Sequence, residues 1–236
     1  MITLQYFTFI DVFDFGLTFP FVLSTMITLH VHQISKKFGQ NLVWQNISFV
    51  HEKGVLGIEG PNGSGKSTLL KCLAGLLAPS SGSITWKNKN KELELNTIKQ
   101  NIGYAAPYIS LYRELSIMEN LHFLSKLRKA PADQKSFRQL LKKVELDHVP
   151  DRPYGNLSTG QQQRSRLAAA LFSDSPVIML DEPGSNLDEQ GRALISDIIA
   201  QARDKKKLVL LASNNHDELD LCDRIFSVKQ QKVVSI

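Results

Sequence analysis

The chain has 236 residues, 42% of them hydrophobic and 22% charged, ordinary globular values that supply ample material for the core of one compact α/β domain. Its net charge of +5 is mild and spread along the chain, which argues against a nucleic-acid partner; the longest basic run, Lys205-Lys206-Lys207, follows Leu194, Ile195, Ile198 and Ile199 in helical period and reads as a solvated helix end. Only Cys72 and Cys222 are present, far apart and without a neighbouring metal-ligand pattern, so a disulfide scaffold is excluded and reduced thiols in the cytosol are expected.

Residues 1–25 differ from the rest. They carry Phe at 7, 9, 13, 15, 19 and 21, contain no Lys or Arg, and are interrupted by Asp11, Asp14, Gly16 and Pro20. A secretory signal needs a basic start, and a membrane helix needs about twenty uninterrupted apolar residues. Neither is present. Met26-Ile27-Thr28-Leu29 opens an alternating run suited to a domain start, so two readings stay open: translation begins at Met26, or the extension is a disordered or partner-binding tail. The domain is expected over 26–236.

Strand-like signals follow at 27–34, 43–50 and 54–59. Directly after them, Gly60-Pro61-Asn62-Gly63-Ser64-Gly65-Lys66-Ser67-Thr68 fills the Walker A template G-x-x-x-x-G-K-[ST], between Val55-Leu56-Gly57-Ile58 and Leu69-Leu70-Lys71-Cys72-Leu73. Three glycines let the backbone curl so that successive N–H groups point at one anion, and the helix that starts there adds the partial positive charge of its N-terminus. Lys66 would reach the β- and γ-phosphates of a nucleoside triphosphate, and the Ser67 hydroxyl would ligate Mg²⁺. A chance match in a Gly-containing turn is the alternative; the strand before and the helix after argue against it. Leu69, Leu70, Leu73, Leu76 and Leu77 keep helical spacing, with Pro79 and Gly82 closing the segment.

A long, mostly helical middle runs from about 115 to 172, and pure strands return at 177–180 and 208–212. This alternation predicts a mostly parallel sheet with ligands at the C-terminal ends of its strands. Val177-Ile178-Met179-Leu180-Asp181-Glu182-Pro183 reads as a buried strand that delivers two carboxylates at that end. Asp181 would hold Mg²⁺ through its water shell, and Glu182 would polarise an attacking water as general base. About twenty residues upstream, Leu157-Ser158-Thr159-Gly160-Gln161-Gln162-Gln163-Arg164 sets a small hydroxyl and a Gly at the start of a helix, where another phosphate could dock. Each piece alone has a plain reading, a solvated strand edge or a helix cap. Their order and spacing give them weight.

Together these motifs closely resemble the ATP-binding subunit of ABC transporters over residues 27–229. The resemblance implies a P-loop NTPase with a mostly parallel sheet, an antiparallel β subdomain and a helical signature subdomain over about 108–172. It implies ATP and Mg²⁺ as ligands. Leu157, Ser158, Thr159, Gly160 and Gln161 correspond to the signature sequence, which would face the ATP of a second subunit, and Ser185, Asn186, Leu187 and Asp188 correspond to the D-loop. Phe38, in Lys36-Lys37-Phe38-Gly39, would stack on adenine; otherwise it is a turn-flanking core Phe. The family works as a head-to-tail pair of cassettes that encloses two ATP and drives a separate transmembrane permease. The resemblance thus implies hydrolysis coupled to transport on the cytoplasmic face of a membrane.

Two positions depart from the family pattern. Pro107, after Ile102-Gly103-Tyr104-Ala105-Ala106, stands where the Q-loop glutamine belongs, and Asn214, after Leu210-Leu211-Ala212-Ser213, stands where the switch histidine belongs. Asn214 can donate a hydrogen bond to a γ-phosphate but cannot carry a proton at neutral pH; His216, two residues on, substitutes only if the loop is re-registered. Gly82-Ser83-Ile84-Thr85-Trp86 and Arg152-Pro153-Tyr154-Gly155-Asn156-Leu157-Ser158 look similar to small exporter-type ATPases, including those of the cytochrome c maturation haem exporter. The departures keep a weakly or non-hydrolysing regulatory cassette as an alternative. A soluble ABC ATPase outside transport is another, although it would be expected to carry a coiled-coil insertion or a second cassette.

Overall fold

The computed structural model describes residues 27–130 and 133–235. The expectations for residues 1–25 and Met26 lie outside this region.

The described chain begins with a long hairpin. β1 (Ile27–Phe38) pairs antiparallel with β2 (Asn41–His51), and Leu29, Ile34, Trp44 and Ile47 point into the core. β1 also pairs antiparallel with β4 (Ser81–Asn88), which carries the short β5 (Lys91–Glu92) on its far edge. The register of β1 shifts between Val31 and Ile34, where Gln33 has a left-handed φ of 45° and its N–H bonds to the Ser48 hydroxyl. These strands form the small antiparallel sheet, ordered β2-β1-β4-β5.

The second sheet holds β3 (Val55–Glu59), β6 (Ile102–Ala105), β7 (Val177–Asp181), β8 (Leu208–Ser213), β9 (Arg224–Ser227) and β10 (Lys232–Ser235), in the order β10-β9-β3-β8-β7-β6. All neighbours run parallel except β10, which closes the edge antiparallel to β9. β7 and β8 are buried along their whole length, which explains their continuous apolar runs: helices cover both faces of a parallel sheet. The fold is that of a P-loop NTPase, as expected.

The helices are α1 (Lys66–Leu73), α2 (Leu95–Gln100), α3 (Ile117–Leu127), α4 (Gln134–Lys143), α5 (Thr159–Leu171), α6 (Glu189–Asp204) and α7 (His216–Leu219). α3 starts with a capping box in which Ser116 and Glu119 satisfy each other's backbone N–H groups. The expected helical middle is therefore interrupted: α3, α4, a 3₁₀ turn at Tyr154–Asn156 and α5 pack as separate pieces. None of the helices among the described residues is long and apolar enough to cross a membrane.

Two sequence expectations need correction. α1 ends at Leu73, short of the apolar Leu76 and Leu77, because Gly75 takes φ 71° and lets the Leu76 N–H reach back to the Lys71 carbonyl. A Cβ at Gly75 would collide with Leu95. Lys205-Lys206-Lys207 is not simply a solvated helix end: Lys207 is buried and its Nζ lies 2.7 Å from Asp174, which also holds Lys205 at 2.9 Å.

Candidate nucleotide site

The loop between β3 and α1 carries the Walker A residues. Pro61, Asn62 and Gly63 are exposed at its crest, while Ser64, Gly65, Ser67 and Thr68 are half-buried where it enters the helix. Gly65 is the residue that caps α1, at φ 97°, and a Cβ there would strike Val43 and Trp44 of β2. No other residue type fits that conformation and that approach. The loop thus leans on the antiparallel sheet as well as on its own strand.

Lys66 is the first residue of α1 and only 5% exposed. Its ammonium donates to the Gly60 carbonyl at 2.7 Å and lies 3.0 Å from the Glu182 carboxylate. Gly60 and Glu182 belong to different strand ends, β3 and β7, so one cation marks where the loop and the two acids converge.

Glu182 follows β7 with its N–H bonded to the Ala212 carbonyl of β8, yet its φ is 47°, in the left-handed region that a residue with a Cβ avoids. Backbone strain of this kind persists only where the surroundings enforce it. Here the β8 bond holds one side, and Ser185 holds the other, donating both its N–H and its hydroxyl to the Glu182 carbonyl. The turn brings the Glu182 carboxylate to Lys66.

Asp181 is fully buried, and neither of its oxygens has a protein donor at hydrogen-bonding distance. Burial pushes its carboxyl above the ordinary range, with the Glu182 charge adding to that; Ser67 and Tyr108 face it closely enough to oppose the shift. A buried carboxylate with unused lone pairs, facing a serine hydroxyl, suits a hard divalent cation such as Mg²⁺. Among the described residues no group of three or more His, Cys, Asp or Glu side chains is arranged to hold a metal alone. A cation at Ser67 and Asp181 would therefore need further oxygens from a phosphate.

The signature residues lie at the start of α5. Ser158 caps the helix, its hydroxyl accepting from the Gln161 N–H at 3.2 Å while the Gln161 side-chain oxygen accepts from the Ser158 N–H at 3.1 Å. Leu157 is buried beneath them, and Ser158 and Thr159 are exposed. They pack beside the segment 183–188 that follows β7. A Cβ at Gly160 would come within 3.2 Å of the Asn186 carbonyl, and the buried Gln163 amide donates to the Pro183 carbonyl at 2.8 Å. Arg164, also buried, reaches Glu145 at 2.7 Å and Asp188 at 3.0 Å; Asp188 in turn caps α6 through the Gly191 N–H. Ser185, Asn186, Leu187 and Asp188 thus connect β7 to the signature helix in one step.

The remaining expected residues separate clearly. Asn214 follows β8 and its amide donates to the Asn62 side chain, 3.0 Å away on the Walker A loop. His216 is exposed as the first residue of α7, behind Asn215, whose side chain caps that helix through the Asp217 N–H. Phe38 is 52% exposed at the tip of the β1 hairpin, with the Lys36 ammonium 4.9 Å from its ring, so it is not a core residue. Pro107 is exposed just past β6.

Sequence reasoning missed three groups. Glu218 of α7 is buried, accepts from the Gly184 N–H at 2.9 Å, and is pushed up chiefly by burial, leaving Oε2 without a partner. Arg164 and Gln163 stood in the quoted motif without a role. Tyr104 and Tyr108 bond through their hydroxyls beside Asp181. A concavity of about 1540 Å³ lies at the opposite end of the sheet, lined in part by Gly54, Asp174, Lys207 and Asp223, and by none of the expected site residues.

The family model described as ABC transporter matches residues 44–185. An uncharacterized ABC transporter ATP-binding protein of Bacillus subtilis is 32% identical over 83% of this chain and 89% of its own length. A Nod factor export ATP-binding protein of Burkholderia lata is 31% identical over 86% of this chain and 68% of its own. The dimeric structure of a bacterial ABC transporter cassette superposes with a TM-score of 0.75 at 25% identity, covering 84% of this chain and 93% of that one.

Proposed function

For this chain, which belongs to the ABC transporter family as an ATP-binding cassette, we propose that ATP is hydrolysed at Lys66, Ser67, Asp181 and Glu182 to drive a separate transmembrane permease. The observation that carries this reading is the 3.0 Å approach of Lys66 to Glu182 beside the unpartnered Asp181 carboxylate. Lys66 and the loop N–H groups would hold the β- and γ-phosphates. Ser67 and Asp181 would hold Mg²⁺, which neutralises charge on the phosphate oxygens when bound. Glu182 would accept the proton of the attacking water, its strained backbone aiming the carboxylate. Asn214, already on the Walker A loop through Asn62, would donate to the γ-phosphate.

Ser158 and Thr159 are exposed at the N-terminus of α5, which supports a second ATP-binding subunit, as homodimer or heterodimer, bringing Leu157–Gln161 against the ATP. Phe38, exposed at the hairpin tip, would stack on the adenine. Such a subunit works at the cytoplasmic face of the membrane, bound to its permease. The exporter-type reading, and the narrower likeness to haem-exporter ATPases, rests on the stretches 82–86 and 152–158. A second reading, a slowly hydrolysing regulatory cassette, is favoured by the exposed Pro107 and by Asn214 at the switch position.

Glu182→Gln separates the two. It should retain ATP affinity, slow turnover by about 10²–10⁴-fold, and accumulate an ATP-bound dimer on gel filtration. A parental rate in the mutant would exclude Glu182 as the base, and equal low rates in both proteins would favour the regulatory cassette.

A further inference from the structure

Among the described residues two carboxylates are buried, Asp181 and Glu218, and only the first has a place in the chemistry proposed above. A buried acid costs stability unless its contacts offset that cost. Glu218 is 6% exposed; its Oε1 accepts from the Gly184 N–H at 2.9 Å, and Oε2 has no partner. The peptide it holds is held twice. The carbonyl of the same Pro183–Gly184 unit accepts from the buried Gln163 amide of α5 at 2.8 Å, so side chains from two helices fix both polar groups of one planar unit. This peptide comes directly after Glu182, whose φ of 47° persists only where its surroundings enforce it. Gly184 is not left-handed, so its lack of a side chain serves space: a Cβ there would strike the Glu218 carboxylate.

Glu218 also belongs to α7, the helix that follows the loop carrying Asn214. Asn214, four positions earlier, donates to Asn62 on the Walker A loop at 3.0 Å, and the Asn215 cap joins that loop to the helix through the Asp217 N–H. α7 therefore connects a residue on the Walker A loop with the peptide behind Glu182. We propose that Glu218 is a positioning residue for hydrolysis: its carboxylate orients the Pro183–Gly184 peptide, which keeps Glu182 in its strained turn and ties the D-loop to the segment that carries Asn214. This rests on the reading of Glu182 as the general base. Ser185 and Gln163 hold the same turn, but from the D-loop itself and from the signature helix. Glu218 is the contact that reaches it from the far side of β8.

The test uses Glu218→Leu, which fills the buried space but cannot accept the Gly184 N–H, and Glu218→Gln, which keeps an acceptor oxygen and drops the charge. Turnover and the KM for ATP are measured on the purified protein, with thermal unfolding followed in parallel. Glu218→Leu should lower kcat about ten- to a hundredfold and change KM by less than about twofold; its melting temperature should not fall, because the cost of a buried carboxylate goes with the lost bond. Glu218→Gln should recover most of the turnover. Gly184→Ala, whose Cβ displaces the carboxylate from the other side of the contact, should lower kcat in the same way. In a Glu182→Gln background, Glu218→Leu should cost almost nothing further, because a residue that acts by aiming the base has nothing left to aim. Parental turnover in Glu218→Leu would overturn the proposal, as would an equal loss in Glu218→Gln, a full further loss in the Glu182→Gln background, or a fall in kcat matched by a fall in melting temperature. If Glu182→Gln alone turns over at the parental rate, the reading of Glu182 as base fails and this proposal with it, whatever Glu218→Leu does, so the two failures are distinct.

Discussion

The two ends of the parallel sheet treat charge in opposite ways. At the ends where β7 and β8 begin, the charges are answered within the chain: Asp174 holds Lys205 and Lys207, Arg203 holds Asp223, and the buried Arg128 donates to the Ile102 carbonyl and to Ser173 and Ser175. At the ends where they finish, Asp181 has no donor and Glu218 keeps one oxygen unpartnered. An end satisfied internally contributes stability, whereas an end left with unanswered acids holds its binding capacity in reserve. Lys66 is the exception that joins the two patterns: paired with Glu182, it is positioned by the protein yet exchangeable for phosphate.

The largest effect should come from removing that exchangeable cation. Lys66→Ala deletes the side-chain cation directed into the loop, and loss of a charge-assisted hydrogen bond of about 1.5–3 kcal/mol predicts ATP affinity weakened by at least tenfold and up to roughly 150-fold. Fluorescent-nucleotide titration measures it. Unchanged affinity would mean that the reserve lies elsewhere.

The contrast between the ends is sharpened by making one substitution at both. Asp181→Asn should raise the stability of the protein without nucleotide, by about 1 kcal/mol, because it removes a buried carboxylate whose ionised form burial disfavours. The same variant should gain little further stability from ATP with Mg²⁺. Asp174→Asn should do the reverse and cost up to about 1 kcal/mol, the range of exposed ion pairs, because Lys207 is buried and loses its closest partner. Urea unfolding of the two variants reads both signs, and a shared sign would dissolve the distinction between the ends.

Much of this could be read from the chain alone, for a physical reason. Walker A, the β7 acids and the signature are contiguous strings whose chemistry depends on local spacing, and the strands β3, β7 and β8 announce themselves by unbroken apolar runs. What the sequence hid depends on meetings between distant segments. The end of α1 is set by Gly75 packing on Leu95, twenty residues away, which no helical period records. Lys207 looked solvated because its partner, Asp174, lies 33 positions upstream. Glu218 sits in a four-residue helix too short to show a period, and Tyr108 stood beside Pro107, where attention to the missing glutamine passed over a phenol. The left-handed φ of Glu182 has no sequence mark either, since Glu is not a residue that favours it.

The smallest expected effect concerns the loop after β8, where the sequence left two candidates. Asn214 donates to Asn62 on the Walker A loop, and His216 points from the exposed start of α7, with Asn215 fixed between them as its cap. That cap pins the register, since moving His216 back by two positions would break the Asn215 bond to the Asp217 N–H. If Asn214 acts by a neutral hydrogen bond worth about 0.5–1.5 kcal/mol, Asn214→Ala should reduce turnover about two- to tenfold, with His216→Ala close to the parent. Asn214→His should keep or raise the rate. Turnover attributable to Asn214 should also be flat from pH 6 to 8, because an amide does not ionise there. A large loss in His216→Ala with Asn214→Ala silent would require the loop to re-register when nucleotide binds, and the fixed cap at Asn215 would then be a hinge.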